Sequence, residues 1–255
     1  MSVSMSQARQ MVSLLDLTNL AGNAAVADIE SLCARAGGPH GHVAAVCVFS
    51  RFLPQARGAL AKNGLAGVRL ATVANFPGGD PDAAPVVAEI RSCLARGADE
   101  VDVVLPYRAF LAGQTRTVRE FLVACRAACA GRCLKVILET GVLAEPALIR
   151  AASLLAVECG ADFLKTSTGK VAVHATPEAA RIMLEVIASQ GGRVGFKASG
   201  GLKSAVQAQS YVDLAGAILG PDWVSPATFR LGASGLLDDL LAILNSSPDP
   251  CAASV

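Results

Sequence analysis

Aromatic residues make up only 4% of this 255-residue chain. A core organised around large rings is therefore excluded, and packing must come from many small aliphatic contacts. Histidine is almost missing as well: the chain has three, at His40, His42 and His174. That argues against a metal-dependent hydrolase or aldolase, which wants a richer ligand set. There is no charge excess, since 22 Lys and Arg stand against 21 Asp and Glu for a formal charge of +1. Such a balance offers no field for nucleic acid or for an anionic membrane, so any positive charge that matters is local.

The longest uncharged run, 36–50, contains Gly, Pro and His and falls short of the roughly 18 apolar residues that a membrane helix needs. The opening MSVSMSQARQ has no apolar segment of the signal-peptide kind. The eight cysteines show no C-x-x-C spacing, which reads as reduced thiols in a cytoplasmic protein. No G-x-G-x-x-G follows a strand-like segment, so a dinucleotide is not indicated.

What the chain does contain is a regular alternation. It is 53% hydrophobic, and short β-rich segments alternate with Ala/Leu-rich stretches of helical character. Strand starts fall near Leu14, Val43, Val68, Glu100, Leu134, Phe163, Val194 and Thr228. Their mean spacing of about 31 residues is the pitch of repeated βα units. Segments such as VAAVCVF and VRLATV suit strands buried on both faces. Eight even units predict a single (β/α)8 TIM barrel rather than an open doubly wound sheet. Gly97 and Gly160 stand where helices would end, and Thr176-Pro177-Glu178 is a helix start. The expected organisation is a lead-in segment over 1–12, a catalytic barrel over 13–245 and a flexible tail over 246–255.

Chemistry in such a barrel gathers at the C-terminal ends of the strands. Polar residues in or beside the apolar segments are therefore informative: Asp16 in LLDLTNL, Asp102 in EVDVVLPYR, Lys135 and Glu139 in LKVILETG, Lys165 in FLKTSTGK and Lys197 in VGFKASGG. Lys165 and Lys197 fall on successive strands, about 4.8 Å apart. If both point inward, like charge and desolvation lower a lysine pKa, and a neutral lysine can attack a carbonyl to form an imine. Structural salt bridges to Asp102 or Asp16 are the competing reading. Ser199-Gly200-Gly201-Leu202-Lys203 after the seventh strand and Gly232-Ala233-Ser234-Gly235 after the eighth occupy the loops that often bind phosphate in barrels. Gly169 and Lys170 could add to that site, which together with the lysines suggests a phosphorylated carbonyl substrate. His40 and His42 precede the second strand, at the wrong end for catalysis. Cys125, Cys129 and Cys133 have i, i+4, i+8 spacing but read as packing or surface thiols, with Gly131 ending their helix. Cys47 lies in an apolar strand and reads as packing.

These segments carry a resemblance. From LLDLTNL to FRLGASGLL, through VCVFSRFLPQAR, VRLATVANFPGG, GADEVDVVLPYRAFLAG and GADFLKTSTGKVAVHATPEAARIMLEVI, the chain resembles the deoxyribose-phosphate aldolases, class I aldolases with a (β/α)8 barrel. The resemblance implies Lys165 as the Schiff-base lysine, Lys197 as the second lysine that depresses its pKa, and Asp102 as the carboxylate of a proton relay. Asp16 and Lys135 match supporting residues. Gly169, Lys170, Gly200, Gly201, Lys203, Gly232 and Ser234 match phosphate-binding positions. Gly235 stands where the family pattern GASSLL has serine, Lys203 where arginine is common, and no terminal tyrosine ends the chain.

What the family implies is reversible cleavage of 2-deoxy-D-ribose 5-phosphate to acetaldehyde and D-glyceraldehyde 3-phosphate. No metal or organic cofactor is needed, because a protein lysine supplies the electrophilic activation. The partners expected are small phosphosugars and aldehydes, not nucleic acid or membrane, and a homodimer is compatible with the sequence. Two other readings share its features: a Schiff-base aldolase acting on a longer phosphosugar, and a barrel that binds a phosphosugar without turnover.

Overall fold

Leu15–Asn19 (β1), Ala45–Val48 (β2), Arg69–Ala74 (β3), Glu100–Val104 (β4), Cys133–Ile137 (β5), Phe163–Lys165 (β6), Gly195–Ser199 (β7) and Phe229–Ala233 (β8) are the parallel strands of one closed barrel. Each starts within two residues of its sequence expectation. The computed structural model describes residues 2–246, so the expected tail lies outside the described residues from position 247. Closure is made by β8 pairing with β1, where Asp16 stands beside Gly232. Crossover helices alternate with the strands, among them Val26–Ala34, Pro177–Ser189, Ala205–Leu219 and Leu236–Ser246. The result is a (β/α)8 TIM barrel.

Local sequence accounts for the elements. In Thr115–Ala128 the buried residues Val118, Phe121, Leu122 and Cys125 recur at i, i+3, i+4 and i+7, one apolar stripe facing the sheet. Thr176 caps the helix Pro177–Ser189 by accepting from the Ala179 N–H, with proline in the first turn. Gly97 and Gly160 adopt φ of 95° and 85° just past helix ends, as left-handed C-caps do. The helix carrying Cys125 stops at Ala128, before Gly131, with Cys129 as its cap, and Cys133 opens β5. Two features were not anticipated: a two-stranded ribbon, Gly37–Gly38 with Gly41–His42, and an N-terminal helix, Met5–Ser13. The helix buries Ala8, Met11 and Val12.

The strands split the core in two. Alternate residues Val46, Val48, Leu70 and Ala74 join the large apolar layer under the helices. Ala45, Cys47, Ala71 and Val73 form a separate small cluster, the barrel-facing set expected from period-two alternation. That interior is thus narrow and apolar on the side of β2 and β3, while the remaining strands bring charge into it. No described helix is long and apolar enough to cross a membrane.

Candidate active site

Asp102 sits at the centre of β4, wholly buried, and three ammonium groups converge on it. Lys165 and Lys197 both donate to its Oδ2 at 2.8 Å, and Lys135 donates to Oδ1 at 2.8 Å. Register explains the meeting, because Lys165 pairs with Lys197 across β6 and β7, and Asp102 pairs with Lys135 across β4 and β5. Lys197 also donates to Asp16 Oδ2 at 2.5 Å. The salt-bridge reading and the reactive-lysine reading therefore describe one arrangement: the pairs exist, and they are unequal.

The inequality is electrostatic. Burial is the largest influence on Lys165 and lowers its pKa; Asp102 opposes this and Lys197 reinforces it. The sequence argument named like charge and desolvation together; the structure has both acting on Lys165, with desolvation the larger. Burial pulls Lys197 down too, yet Asp102 and Asp16 outweigh it and hold its pKa above normal. Lys135 is likewise pushed down by burial but held well above normal by Asp102, Glu100 and Asp16. For Asp102 burial raises the pKa, while Lys135, Lys165 and Lys197 together pull it well below the usual carboxylate range. Of the three buried lysines, only Lys165 is biased toward the neutral amine.

Two members of this cluster escaped the sequence reading. Arg230 of β8 donates to Asp16 Oδ1 at 2.7 Å and to Glu100 Oε1 at 3.0 Å. Glu100 in turn accepts from Lys135 at 2.5 Å. A signal was available, since Glu100 is two residues from Asp102 and must share its face of the strand.

Lys165 and Lys197 form the floor of a cavity of about 890 Å³. Its wall carries Gly169, Lys170, Gly200, Gly201, Lys203, Gly232 and Ser234, so every candidate phosphate position opens onto the same space as the amine. Gly200 and Gly201 hold φ of 85° and 74°, a region that glycine enters without strain. Lys170 reaches across the mouth to donate to the Leu20 carbonyl at 3.0 Å, and the Lys203 N–H donates to Gln207 at 3.2 Å. Gly232 has a use beyond the wall. A Cβ there would lie 2.9 Å from Lys197 Cε, so the glycine clears the path of the second lysine. Lysine is scarce elsewhere: of six in the chain, three are in the buried cluster, two line the cavity, and Lys62 alone lies apart and exposed.

The turn between amine and glycines is braced from below. Glu139, in the left-handed region at φ 57° and buried, accepts from Thr168 Oγ1 at 2.5 Å and from the Thr168 N–H at 3.2 Å. Thr168 Oγ1 accepts from the Lys170 N–H at 3.0 Å. Thr168→Val strips a buried carboxylate of its hydroxyl donor. It is expected to lower unfolding free energy by about 1–3 kcal/mol, measured by urea denaturation.

His40 Nε2 donates to Asn245 Oδ1 and His42 Nδ1 to the Val43 carbonyl, each at 2.9 Å, away from the cavity. Cys47 is buried in the barrel interior, and burial raises its pKa.

The described residues thus form a closed α/β barrel with a desolvated lysine at the floor of a glycine-walled cavity. A model of the DeoC/LacD family aldolases matches residues 10–238. A deoxyribose-phosphate aldolase from Agrobacterium fabrum is 51% identical over 244 residues, covering 95% of this chain and 93% of that protein. Among solved structures, the apo form of a Toxoplasma gondii protein assigned as a deoxyribose-phosphate aldolase superposes with a TM-score of 0.88 at 25% identity, over 96% of this chain and 98% of that one. A tetrameric deoxyribose phosphate aldolase from Aeropyrum pernix shares the fold, with a TM-score of 0.75 at 22% identity over 95% and 97% of the two chains. The chain belongs to the DeoC/LacD aldolase family, and is an aldolase, a carbon–carbon lyase.

Proposed function

We propose that the chain reversibly cleaves 2-deoxy-D-ribose 5-phosphate to acetaldehyde and D-glyceraldehyde 3-phosphate through an imine on Lys165. The observation that carries this reading is Lys165 itself, buried, 2.8 Å from Asp102 and open to a cavity walled by glycine turns. The 51% identity to a deoxyribose-phosphate aldolase supports the choice of substrate.

In this mechanism the neutral Lys165 amine attacks C1 of the open-chain sugar, and the carbinolamine takes up one proton through a relay water and loses water, giving a protonated imine. The C2–C3 electron pair then moves into that cation, forming an enamine and releasing glyceraldehyde 3-phosphate. The C3 hydroxyl proton passes through a water to Asp102, a carboxylate that Lys197 holds by its hydrogen bond. The positive charge on the Lys165 nitrogen vanishes as this proton arrives, so the buried cluster keeps its net charge through the step. The enamine takes up a proton at C2, and water returns to hydrolyse the imine and free acetaldehyde. Asp16 and Lys135 hold the relay in place. Gly169, Lys170, Gly200, Gly201, Lys203, Gly232 and Ser234 receive the phosphate, and no cofactor takes part.

A coupled assay on deoxyribose 5-phosphate and on unphosphorylated deoxyribose tests the reading. Acetaldehyde release from the phosphorylated sugar, far ahead of the free sugar, is the expected result. Release of a longer fragment from another phosphosugar, with none from this one, would overturn it. Gly235 offers a second measurement. No atom lies within 4 Å of where its Cβ would be, and it immediately precedes the helix Leu236–Ser246. Gly235→Ser would place a hydroxyl and a helix cap at the phosphate turn. It is expected to lower KM for the phosphorylated sugar by about threefold to tenfold, leaving deoxyribose unchanged.

The same reading puts the reaction in the cytoplasm, consistent with the free thiols of the described cysteines. It also has two copies of the chain associating as a homodimer, for which light scattering is the direct check.

A further inference from the structure

Arg230 and Glu100 do not line the cavity, yet they are wired to the amine at its floor. Seven buried ionisable side chains form one continuous set of contacts: Lys135, Lys165, Lys197 and Arg230 with Asp16, Glu100 and Asp102. That is four potential cations against three carboxylates. Net charge is costly in a medium of low dielectric, and the set becomes neutral when one cation gives up its proton. Arginine cannot do so. Lys135 touches Glu100 and Asp102, and Lys197 touches Asp16 and Asp102. Lys165 touches Asp102 alone, on an oxygen it shares with Lys197. The proton missing from the set is therefore the one on Lys165.

We propose that Arg230 and Glu100 are positioning residues of opposite sign, which set the protonation state of Lys165 by fixing the charge of the cluster around it. This rests on Lys165 being the imine-forming amine. The count holds when every neighbouring element is considered. β1 presents Asp16, β4 Glu100 and Asp102, β5 Lys135, β7 Lys197 and β8 Arg230. β3 faces inward with Ala71 and Val73, and β2 with Cys47, a thiol whose pKa burial raises. Glu139 beyond β5 is bound to Thr168, and Lys170 at the mouth to the Leu20 carbonyl; both stand outside the contact set.

The two residues have opposite consequences. Arg230→Gln leaves two fixed cations against three carboxylates, so the cluster is neutral only with Lys165 charged, and a charged amine cannot attack. Glu100→Gln leaves three fixed cations against two carboxylates, which drives the proton off Lys165 still more strongly. A structural role alone would weaken both variants without moving their pH profiles in opposite directions.

The test is the rate at which acetaldehyde with sodium cyanoborohydride ethylates Lys165, followed by peptide mass spectrometry between about pH 5 and about pH 9. Relative to the unaltered protein, Arg230→Gln should move the acid limb up by about one pH unit or more, and Glu100→Gln should move it down. Arg230→Lys, which keeps the charge, should leave the limb near its original place. Circular dichroism establishes that each variant is folded. If Arg230→Gln does not fold, the displacement in Glu100→Gln decides alone. Limbs that stay together, or that move the same way, would overturn the inference. Failure to ethylate Lys165 in the unaltered protein would instead overturn the imine reading.

Discussion

Lys165→Ala is expected to abolish aldol cleavage, with a loss of at least about ten-thousand-fold in kcat/KM. Lys135 and Lys197 cannot substitute, since the carboxylates around each hold its proton in place. The loss should be chemical rather than structural. Lys165 is a buried amine whose charged form burial disfavours, and its removal leaves Asp102 with two ammonium donors, Lys135 and Lys197. The melting temperature should thus stay within a few degrees of the unaltered protein while acetaldehyde adduct formation disappears. Adduct on another lysine in an active Lys165→Ala preparation would refute the assignment of the nucleophile.

Asp102→Asn should fail differently, losing both rate and stability. The amide is isosteric, but it removes the negative charge on which Lys135, Lys165 and Lys197 converge. Breaking one side of a buried ionic network costs about 3–5 kcal/mol, so the urea midpoint should fall sharply. Loss of the carboxylate proposed as the proton relay should remove a further factor of about a hundred to ten thousand in kcat. Comparing the two variants separates roles: Lys165→Ala kills chemistry in a stable barrel, whereas Asp102→Asn weakens the barrel interior as well. A stable Asp102→Asn protein with near-normal turnover would show that the ionic cluster is dispensable.

The barrel was legible because strand period and helix caps are local signals. Even β6, only three residues long, was placed correctly by the apolar pair Phe163-Leu164 running into Lys165. The pairing of Lys165 with Lys197 followed from their adjacent strands. Glu100 and Arg230 were not recognised, because a charge at the start of a strand reads as a solvated end. Only barrel closure, which puts β8 against β1, turns Arg230 toward Asp16 and Glu100. The ranking of influences on Lys165 was left open for a related reason. Sequence shows that two lysines are neighbours, but not that one carboxylate oxygen stands between them. The ribbon Gly37–His42 follows from turn geometry among glycines, for which composition carries little direction.

The scarcity of lysine outside the cavity bears on how this protein can be handled. Aldehydes and activated esters modify neutral primary amines, and most of the positive charge here is arginine, whose guanidinium holds its proton throughout. Away from the cavity, Lys62 is the lysine such reagents find. Coupling to an aldehyde-bearing support would therefore be close to single-point and oriented, unless it seals the pocket. Under the proposed function, a phosphosugar held in the pocket during coupling would shield its amines, leave Lys62 as the lysine open to the support, and keep the mouth of the barrel open.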